Sequence, residues 1–456
     1  MLGRTKKIHF VGIGGIGMSG IAELLINQGF EISGSDMQAT PITEHLKQKG
    51  ATIIKGHDPK VLQEVDCLVK SSAVHDDNPE IASALAQKIP VIRRAEMLAE
   101  IMRMSYGIGI AGTHGKTSTT SMVGMILAAA NLEPTVIVGG IVKNFGSNNL
   151  LGSGKYIVVE ADEFDRSFLS LSPIIAGITN IEADHLDCYT NLQNVKNAFI
   201  EYSNKVPFFG SVIACLDDPG VQSIIPEIKK EVITYGLSKQ ANVQAVNIKL
   251  KNFTSTFDVL FNRYKLGTIT LNVMGQHNIL NALLATAVGI ELNLSFEAIQ
   301  KGLSDYNGVY RRFEFKGETN GIQVYDDYAH HPTEIVATLK GVRENTEKRV
   351  IAVFQPHLFS RTRDFHQEFG RAFYYSDILV VAPIYPAREK PIEGVTGKLI
   401  ADAAIQAGHQ QVINVESNDD IVKTLESIVV KDDIIITLGA GNINHFGEEF
   451  LAKKEK

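Results

Sequence analysis

The stretch GTHGKTS, residues 112–118, sets two glycines, a lysine and a threonine in an order that suits phosphate chemistry. Between a strand and a helix, such a run lets backbone N–H groups cradle phosphate oxygens. Lys116 would reach the terminal ones and the Thr117 hydroxyl would hold magnesium. The spacing departs from the common phosphate loop, because Ile110 stands five residues before Gly115, where that pattern wants glycine. The loop reads as a shortened variant, with a plain structural turn as the alternative. A second glycine turn, GIGGIG, lies nearer the N-terminus (Gly12, Gly14, Gly15 and Gly17), and Asp36 ends the next strand. Glycines in that setting let the backbone approach a pyrophosphate at a helix N-terminus while a distal acid binds ribose. Taken alone, this turn fits a nicotinamide dinucleotide, another nucleotide diphosphate or simple packing.

Carboxylates follow the lysine loop. VVEADEFDRS closes an apolar strand with Glu160, Asp162, Glu163 and Asp165, and TNIEADHLDCY closes the next with Asp184, His185 and Asp187. A carboxylate at the tip of a strand beside a phosphate loop is placed to bind magnesium, which prefers oxygen ligands. A histidine on the same edge becomes a candidate ligand. YDDYAHHPTEI and QPHLFSRTRDF also begin at strand ends, and Arg361 and Arg363 in the second would either grip a phosphate or carboxylate or merely carry surface charge.

These residues need a frame to hold them. KIHFV reads as a buried strand before the first glycine turn, with a helix from about Met18 to Gln28, and EISGSD, ATIIKG and CLVKSSAV continue the pattern. A second α/β series runs through SYGIGIAG, a helix from about Lys116, KYIVVEAD, IIAGITNI and SVIACL. Between Ala241 and Met274 the period moves toward two, which predicts an antiparallel patch on the same domain, and helices resume at HNILNALLATAVGIEL and SFEAIQKGL. A third series carries IQVYDD, RVIAVFQP, DILVVAPI, QQVINV and DIIITLGAG. Natural boundaries fall near residues 105 and 312, and 456 residues suit about three domains.

Composition narrows the function classes. With 44% hydrophobic and 21% charged residues the chain is ordinary globular protein, and a net charge of -7 argues against a nucleic-acid footprint, which needs a basic face. Cys67, Cys188 and Cys215 are odd in number and widely spaced, so neither a disulfide framework nor a zinc site is expected. The basic, apolar N-terminus resembles a secretion signal only superficially, since its glycines and Glu23 break an apolar helical core. No run is long enough to span a bilayer, so a soluble cytoplasmic protein without membrane partners is expected.

Taken together, GIGGIGMSGIAE, SSAV, GTHGKTST, VVEADEFD, NIEADHLD, GQHNILNAL, YRRFE, DDYAHHPTE and QPHLFSRTRD resemble the Mur ligase family, in the family's order and over nearly the whole chain. The resemblance implies an α/β protein of three domains: a Rossmann-like UDP-binding domain (1–105), a P-loop ATPase-like domain (106–312) and a C-terminal Rossmann-like domain for the amino acid and nucleotide (313–456). It implies ATP and Mg²⁺ as cofactors. UDP-N-acetylmuramate would sit on Gly12, Gly14, Gly15 and Gly17, with Asp36, Ser71 and Ser72, in place of a nicotinamide nucleotide. ATP would take the run Gly112, Thr113, His114, Gly115, Lys116, Thr117 and Ser118, with Asn278 and Asn281 at the adenine and Arg312 and Asp327 reaching in from the domain junction. Thr117 and Glu160 would hold one magnesium and His185 a second, while His330 and Arg361 would lie near the amino acid and the transferred phosphate.

Within the family the chain is most similar to the branch that adds L-alanine. Later ligases carry a carbamylated lysine downstream of the metal histidine, where Phe199 stands here with Lys196 close by, and Leu358 replaces an arginine common in the family. The implied reaction joins L-alanine to the lactyl carboxylate of UDP-N-acetylmuramate through an acyl phosphate. The alternative is the recycling ligase that attaches a tripeptide to the same sugar. A dehydrogenase leaves the lysine loop unexplained, and an ATP-switched binding protein would release no stoichiometric ADP. A monomer or weak homodimer is expected.

Overall fold

In the computed structural model, which describes residues 5–71, 73–183, 186–387 and 389–454, the N-terminal apolar runs become a five-stranded sheet. Its strands are β1 (Lys7–Val11), β2 (Glu31–Asp36), β3 (Thr52–Lys55), β4 (Cys67–Lys70) and β5 (Val91–Arg93), in the order β3-β2-β1-β4-β5. Every pairing is parallel. The chain steps outward from β1 to β3, then crosses to β4, so the winding reverses at β1. Ligand crevices open at such reversals, and the first glycine turn sits there, leading into the helix Ile16–Asn27. The sequence reading missed β5, whose three residues are too few to show a period.

The second sheet has ten strands: β6 (Tyr106–Ala111), β7 (Thr135–Val142), β8 (Ser147–Leu150), β9 (Tyr156–Glu160), β10 (Ile175–Ile178), β11 (Ser211–Cys215), β12 (Glu231–Gly236), β13 (Val243–Lys251), β14 (Thr254–Phe261) and β15 (Tyr264–Leu271). Their order is β15-β14-β13-β12-β11-β10-β6-β9-β7-β8. β6 lies between β9 and β10 and is the second point of reversal, followed by the lysine loop and the helix Lys116–Ala129. Its Ile108, Ile110 and Ala111 are fully buried, as expected for a parallel strand covered on both faces. The period-two segment forms β13, β14 and β15, which extend the sheet from the parallel β12–β13 pair. Two-residue turns join them at Asn252–Phe253 (φ 52° and 58°) and Asn262–Arg263 (φ 47° and 73°), the left-handed pairs whose twist suits a tight hairpin. β7, β8 and β12 escaped the sequence reading, β7 because glycines interrupt its apolar run.

The third sheet comprises β16 (Glu314–Thr319), β17 (Ile322–Asp327), β18 (Val350–Phe354), β19 (Ile378–Val381), β20 (Val412–Asn414) and β21 (Ile434–Leu438), in the order β16-β17-β21-β18-β19-β20. Only the β16–β17 pair is antiparallel. Inserting β21 between β17 and β18 brings the ends of three strands side by side, at Asp327, Gly439 and Gln355. Helices cover both faces, with Phe354, Phe369 and Phe373 in one core and Ile351, Val353 and Phe450 in the other. The chain packs as two compact units. The first holds the first two sheets, and the second holds the third sheet with the hairpin tip Lys249–Thr256 and the segment Asn272–His277. No helix among the described residues is long and apolar enough to cross a membrane.

Candidate functional site

The lysine loop is built for close approach. Gly112 (φ 139°) has no room for a side chain, since a Cβ there would lie 1.9 Å from Thr179 Oγ1, and Gly115 (φ 81°) presses on Asn281, whose Oδ1 would be 2.7 Å from an added Cβ. The strand end of β10 pins the loop from the side. Asn180 accepts the N–H groups of Thr113 (3.0 Å) through its carbonyl and of His114 (2.8 Å) through its side chain, while Thr179 Oγ1 donates to His114 O at 2.6 Å. Thr113 Oγ1 in turn accepts Glu182 N–H at 2.9 Å. Ser118 is buried in the first turn of the helix that follows.

Lys116 is largely buried, and its ammonium has three acceptors: Gly112 O at 2.6 Å, Thr113 O at 3.1 Å and Glu163 Oε2 at 2.8 Å. Burial pulls its pKa down, but the carboxylates of Glu163, Asp162 and Glu160 outweigh burial and hold it above its ordinary value. A charged donor therefore stands in the loop. Next to it, Thr117 Oγ1 lies 3.0 Å from both Glu160 oxygens, and Glu160 Oε2 accepts Gly139 N–H at 2.7 Å. A hydroxyl and a carboxylate in contact at a strand tip are the hard oxygen donors that magnesium prefers, so these two residues fit that ion. His185 and Ser72 lie outside the described residues.

The first glycine turn is fixed by backbone contacts. Ser35 O accepts Gly12 N–H (2.8 Å) and Ile13 N–H (3.1 Å), and Asp36 Oδ2 accepts Gly14 N–H at 2.9 Å. An added Cβ on Gly14 would meet Asp36 Oδ2 at 2.8 Å, and Gly12 (φ 81°) abuts Ser71. Asp36 thus shapes the turn, and Gly15, with ordinary spacing around it, faces the open side. Beside the turn, a cleft of about 410 Å³ is lined by Lys70, Ser71, Arg93 and Arg94 from the first sheet's side and by Asp162, Phe164 and Arg166 from the second's. Arg94 Nη1 would be 3.1 Å from a Cβ on Gly17. Its four cations outnumber the carboxylates of Glu96 and Asp162, which suits an anionic ligand.

In the second unit, the ends of β17, β21 and β18 gather a separate set. Asp327 is buried and accepts the N–H groups of Phe313 and Ala329, both at 2.8 Å. Burial pushes its carboxyl up to about 6 against the pull of Arg312. Arg312 pairs with Glu334 at 3.4 Å and lies over Tyr328. Glu334 also accepts His330 N–H at 3.0 Å, closing the first turn of the helix Pro332–Asn345. His330 Nδ1 is 3.0 Å from Tyr328 O, and since a carbonyl only accepts, Nδ1 carries the proton and Nε2 the lone pair. Burial, aided by Arg361 and opposed by Glu334, lowers His330 to about 4; His357, its ring 5.8 Å away, is lowered to about 4 by burial and Arg361 against Glu389. Both imidazoles are neutral at neutral pH.

Comparisons with known proteins place the chain in a family. Three family profiles match in succession: the Mur ligase family catalytic domain over residues 7–106, the Mur ligase middle domain over 110–289 and the Mur ligase glutamate ligase domain over 311–441. The chain belongs to the Mur ligase family. It is 51% identical to the UDP-N-acetylmuramate–L-alanine ligase of Geotalea daltonii over 99% of both chains, and 50% identical to that of Salinibacter ruber over 99% of this chain and 95% of the relative. Among solved structures it is similar to the UDP-N-acetylmuramate-alanine ligase of Thermotoga maritima (TM-score 0.80, 29% identity, 98% and 99% of the two chains). It is also similar to a murein peptide ligase from Psychrobacter arcticus (TM-score 0.70, 25% identity, 98% of each).

Several partners of the Mur ligase loops went unread in the sequence. Asn180 and Thr179 hold the lysine loop from far along the chain, and Gly139 N–H on Glu160 belongs to the unread β7. Of the adjacent arginines, Arg311 is taken up by structure, clamping Asp326 at 2.9 Å, Gly439 O at 2.7 Å and Gly441 O at 3.0 Å. Arg312 keeps the looser contact. Asn278 and Asn281 share the first turns of the helix Gln276–Glu291, with Asn281 Nδ2 donating to Asn278 Oδ1 at 3.3 Å. Phe199 is fully buried against Phe168, on which Tyr202 also stacks, in the core rather than at a site, and Lys196 is one turn earlier on the same helix. Arg361 lies in the first turn of the helix Phe359–Ala372, whose N-cap is Leu358 at φ 71°, and Arg363 pairs with Asp364 at 2.7 Å.

Proposed function

We infer that this Mur ligase joins L-alanine to the lactyl carboxylate of UDP-N-acetylmuramate, converting ATP to ADP and phosphate, in the cytoplasm. Its near 50% identity, end to end, to UDP-N-acetylmuramate–L-alanine ligases carries this reading. The first glycine turn and its cationic cleft take the UDP-sugar, and the lysine loop takes ATP. The lactyl carboxylate oxygen attacks the γ-phosphorus, the bond to the β-phosphate oxygen breaks, and an acyl phosphate forms. Carboxylate and triphosphate repel each other, so the step depends on positive charge, which Lys116 supplies from a low-dielectric place. Thr117 and Glu160 would hold Mg²⁺, which neutralises phosphate charge when bound. The amine of L-alanine then attacks the acyl carbon, phosphate leaves, and the amine gives up a proton as the amide forms.

A protonated amine is no nucleophile. His330 and His357, neutral beside Arg361, set a place where a carboxylate can pair with the guanidinium and an amine can meet the His330 Nε2 lone pair without a competing positive imidazole. The test is ADP release with UDP-N-acetylmuramate and a panel of amines. L-alanine is expected to be the best substrate, glycine and L-serine poor, and L-valine and L-alanyl-γ-D-glutamyl-diaminopimelate inactive, because excess volume clashes in a methyl-sized slot. Comparable turnover with the tripeptide would transfer the assignment to the recycling ligase.

A further inference from the structure

A buried polar cluster beneath the first glycine turn has no part in the chemistry above. His9 on β1, Ser35 on β2 and Glu80 in the helix Pro79–Ala86 are each 0% exposed. Glu80 Oε2 accepts Ser35 Oγ at 2.6 Å and lies 3.2 Å from His57 Nδ1 and 3.6 Å from His9 Nε2. Its other oxygen accepts Asp58 N–H at 2.9 Å. His9 Nδ1 is 2.8 Å from Ser33 Oγ, and Ser35 Oγ is 3.1 Å from His57 Nδ1, so one carboxylate ties together β1, the end of β2 and the loop after β3. Among the described residues no lysine or arginine pairs with Glu80; the two imidazoles are its basic partners.

A carboxylate in such a place is costly to bury, and an apolar side chain of similar volume fills a core as well or better. What an apolar residue would not do is fix the end of β2. The carbonyl of Ser35 receives both Gly12 N–H and Ile13 N–H, and the next residue, Asp36, receives Gly14 N–H. Every backbone donor at the start of the turn is thus referred to two consecutive residues, and the first of them is held through its hydroxyl by Glu80.

We propose that Glu80 is a positioning residue for the UDP-sugar, setting, through Ser35, the shape in which the glycine turn meets the diphosphate. This rests on the assignment of that turn to the UDP-sugar. The test titrates UDP by calorimetry into the full-length parent, Glu80→Gln, Ser35→Ala and the double variant, and measures KM and kcat for UDP-N-acetylmuramate and ATP, with thermal melting of each protein. Loss of one charge-assisted hydrogen bond from the frame should weaken UDP binding about tenfold in Glu80→Gln. The loss should fall on KM for the UDP-sugar, leaving KM for ATP within about twofold, whereas a merely destabilised fold lowers the active fraction and leaves both KM values alone. Ser35→Ala should reproduce most of the effect, and the double variant should add little to either, since both changes break one path. Ser35→Ala decides the matter even where Glu80→Gln folds poorly. UDP binding within about twofold of the parent in both single variants, or full additivity in the double, overturns the proposal. A parent that binds no UDP overturns the assignment of the turn as well.

Discussion

Lys116 at the second glycine turn and His330 at the end of β17 meet burial in opposite ways. Both side chains sit in places that disfavour charge, yet the lysine keeps its proton and the histidine refuses one. Their neighbours account for the difference. Glu163, Asp162 and Glu160 surround the ammonium and outweigh desolvation, while Arg361 and Arg312 stand near the imidazole and add to it, against Glu334 and the Tyr328 carbonyl. Each environment matches the step assigned to it, since moving a phosphoryl group onto a carboxylate calls for a cation and forming an amide calls for an unprotonated nucleophile. One fold class thus supplies two kinds of ground from the same strand-end geometry, by choosing which sign of charge to gather.

Removing the cation is the most direct way to break that contrast. Lys116→Ala should lower turnover by about a thousandfold or more, as measured by ADP release, while calorimetric UDP-sugar binding stays within about twofold. Turnover within tenfold of the parent would remove the lysine from the phosphate site. A smaller effect is expected from Glu160→Gln, which removes one hard ligand beside Thr117: the Mg²⁺ concentration for half-maximal activity should rise about tenfold or more. An unchanged magnesium curve would leave Glu160 as a partner of Gly139 and Thr117 only.

The mildest probe is acid. His277, His330 and His357 are each lowered to about 4 from an ordinary 6.5, so above 6.5 they are neutral whether the chain is folded or not. Between those values the unfolded chain takes up protons that the folded one refuses, and stability falls as pH drops. Asp327, raised from 3.8 to about 6, works the other way between those two values, because the folded chain holds the extra proton. Among these four sites, three against one leave a net loss on acidification; Glu163, Asp218 and Asp326, also raised by burial, side with Asp327, and His409, lowered by burial, sides with the imidazoles. Differential scanning of the full chain should show the melting temperature falling by several degrees from about pH 6.5 to about pH 4.5. A flat profile would mean the imidazoles are not held neutral strongly enough to outweigh the raised carboxyls.

The lysine loop and the first glycine turn were legible because their residues are contiguous and their chemistry is local. What closes around them was not. Asn180 is 66 residues from His114 along the chain, and nothing in TNIEADH distinguishes an asparagine that clamps a loop from one that ends a strand. Asp36 was read as a ribose ligand from its distance to the glycines, and the structure adds a contact that spacing does not show, Gly14 N–H donating to its Oδ2. Arg311 and Arg312 are equivalent in sequence; φ of 61° at Arg311 turns its side chain onto Asp326 and the Gly439 and Gly441 carbonyls and leaves its neighbour for Glu334. Hydrophobic periodicity found most of the parallel strands and the β13–β15 hairpins; it lost β5, β8 and β12, which are short or half-exposed, β7, whose apolar run glycines interrupt, and β16.

If the lysine loop takes ATP as proposed, the three acceptors around Lys116 give nucleotide binding the character of an exchange. Each ammonium proton already has an oxygen, so a phosphate must displace Gly112 O, Thr113 O or Glu163 and offer a better contact than the one it replaces. The gain is a difference between two satisfied arrangements, small for a weak or lone anion and large only for a ligand whose several phosphates also meet the loop's N–H groups. Simple anions in the surrounding solution then compete poorly, and the loop discriminates among phosphates by what each can outbid.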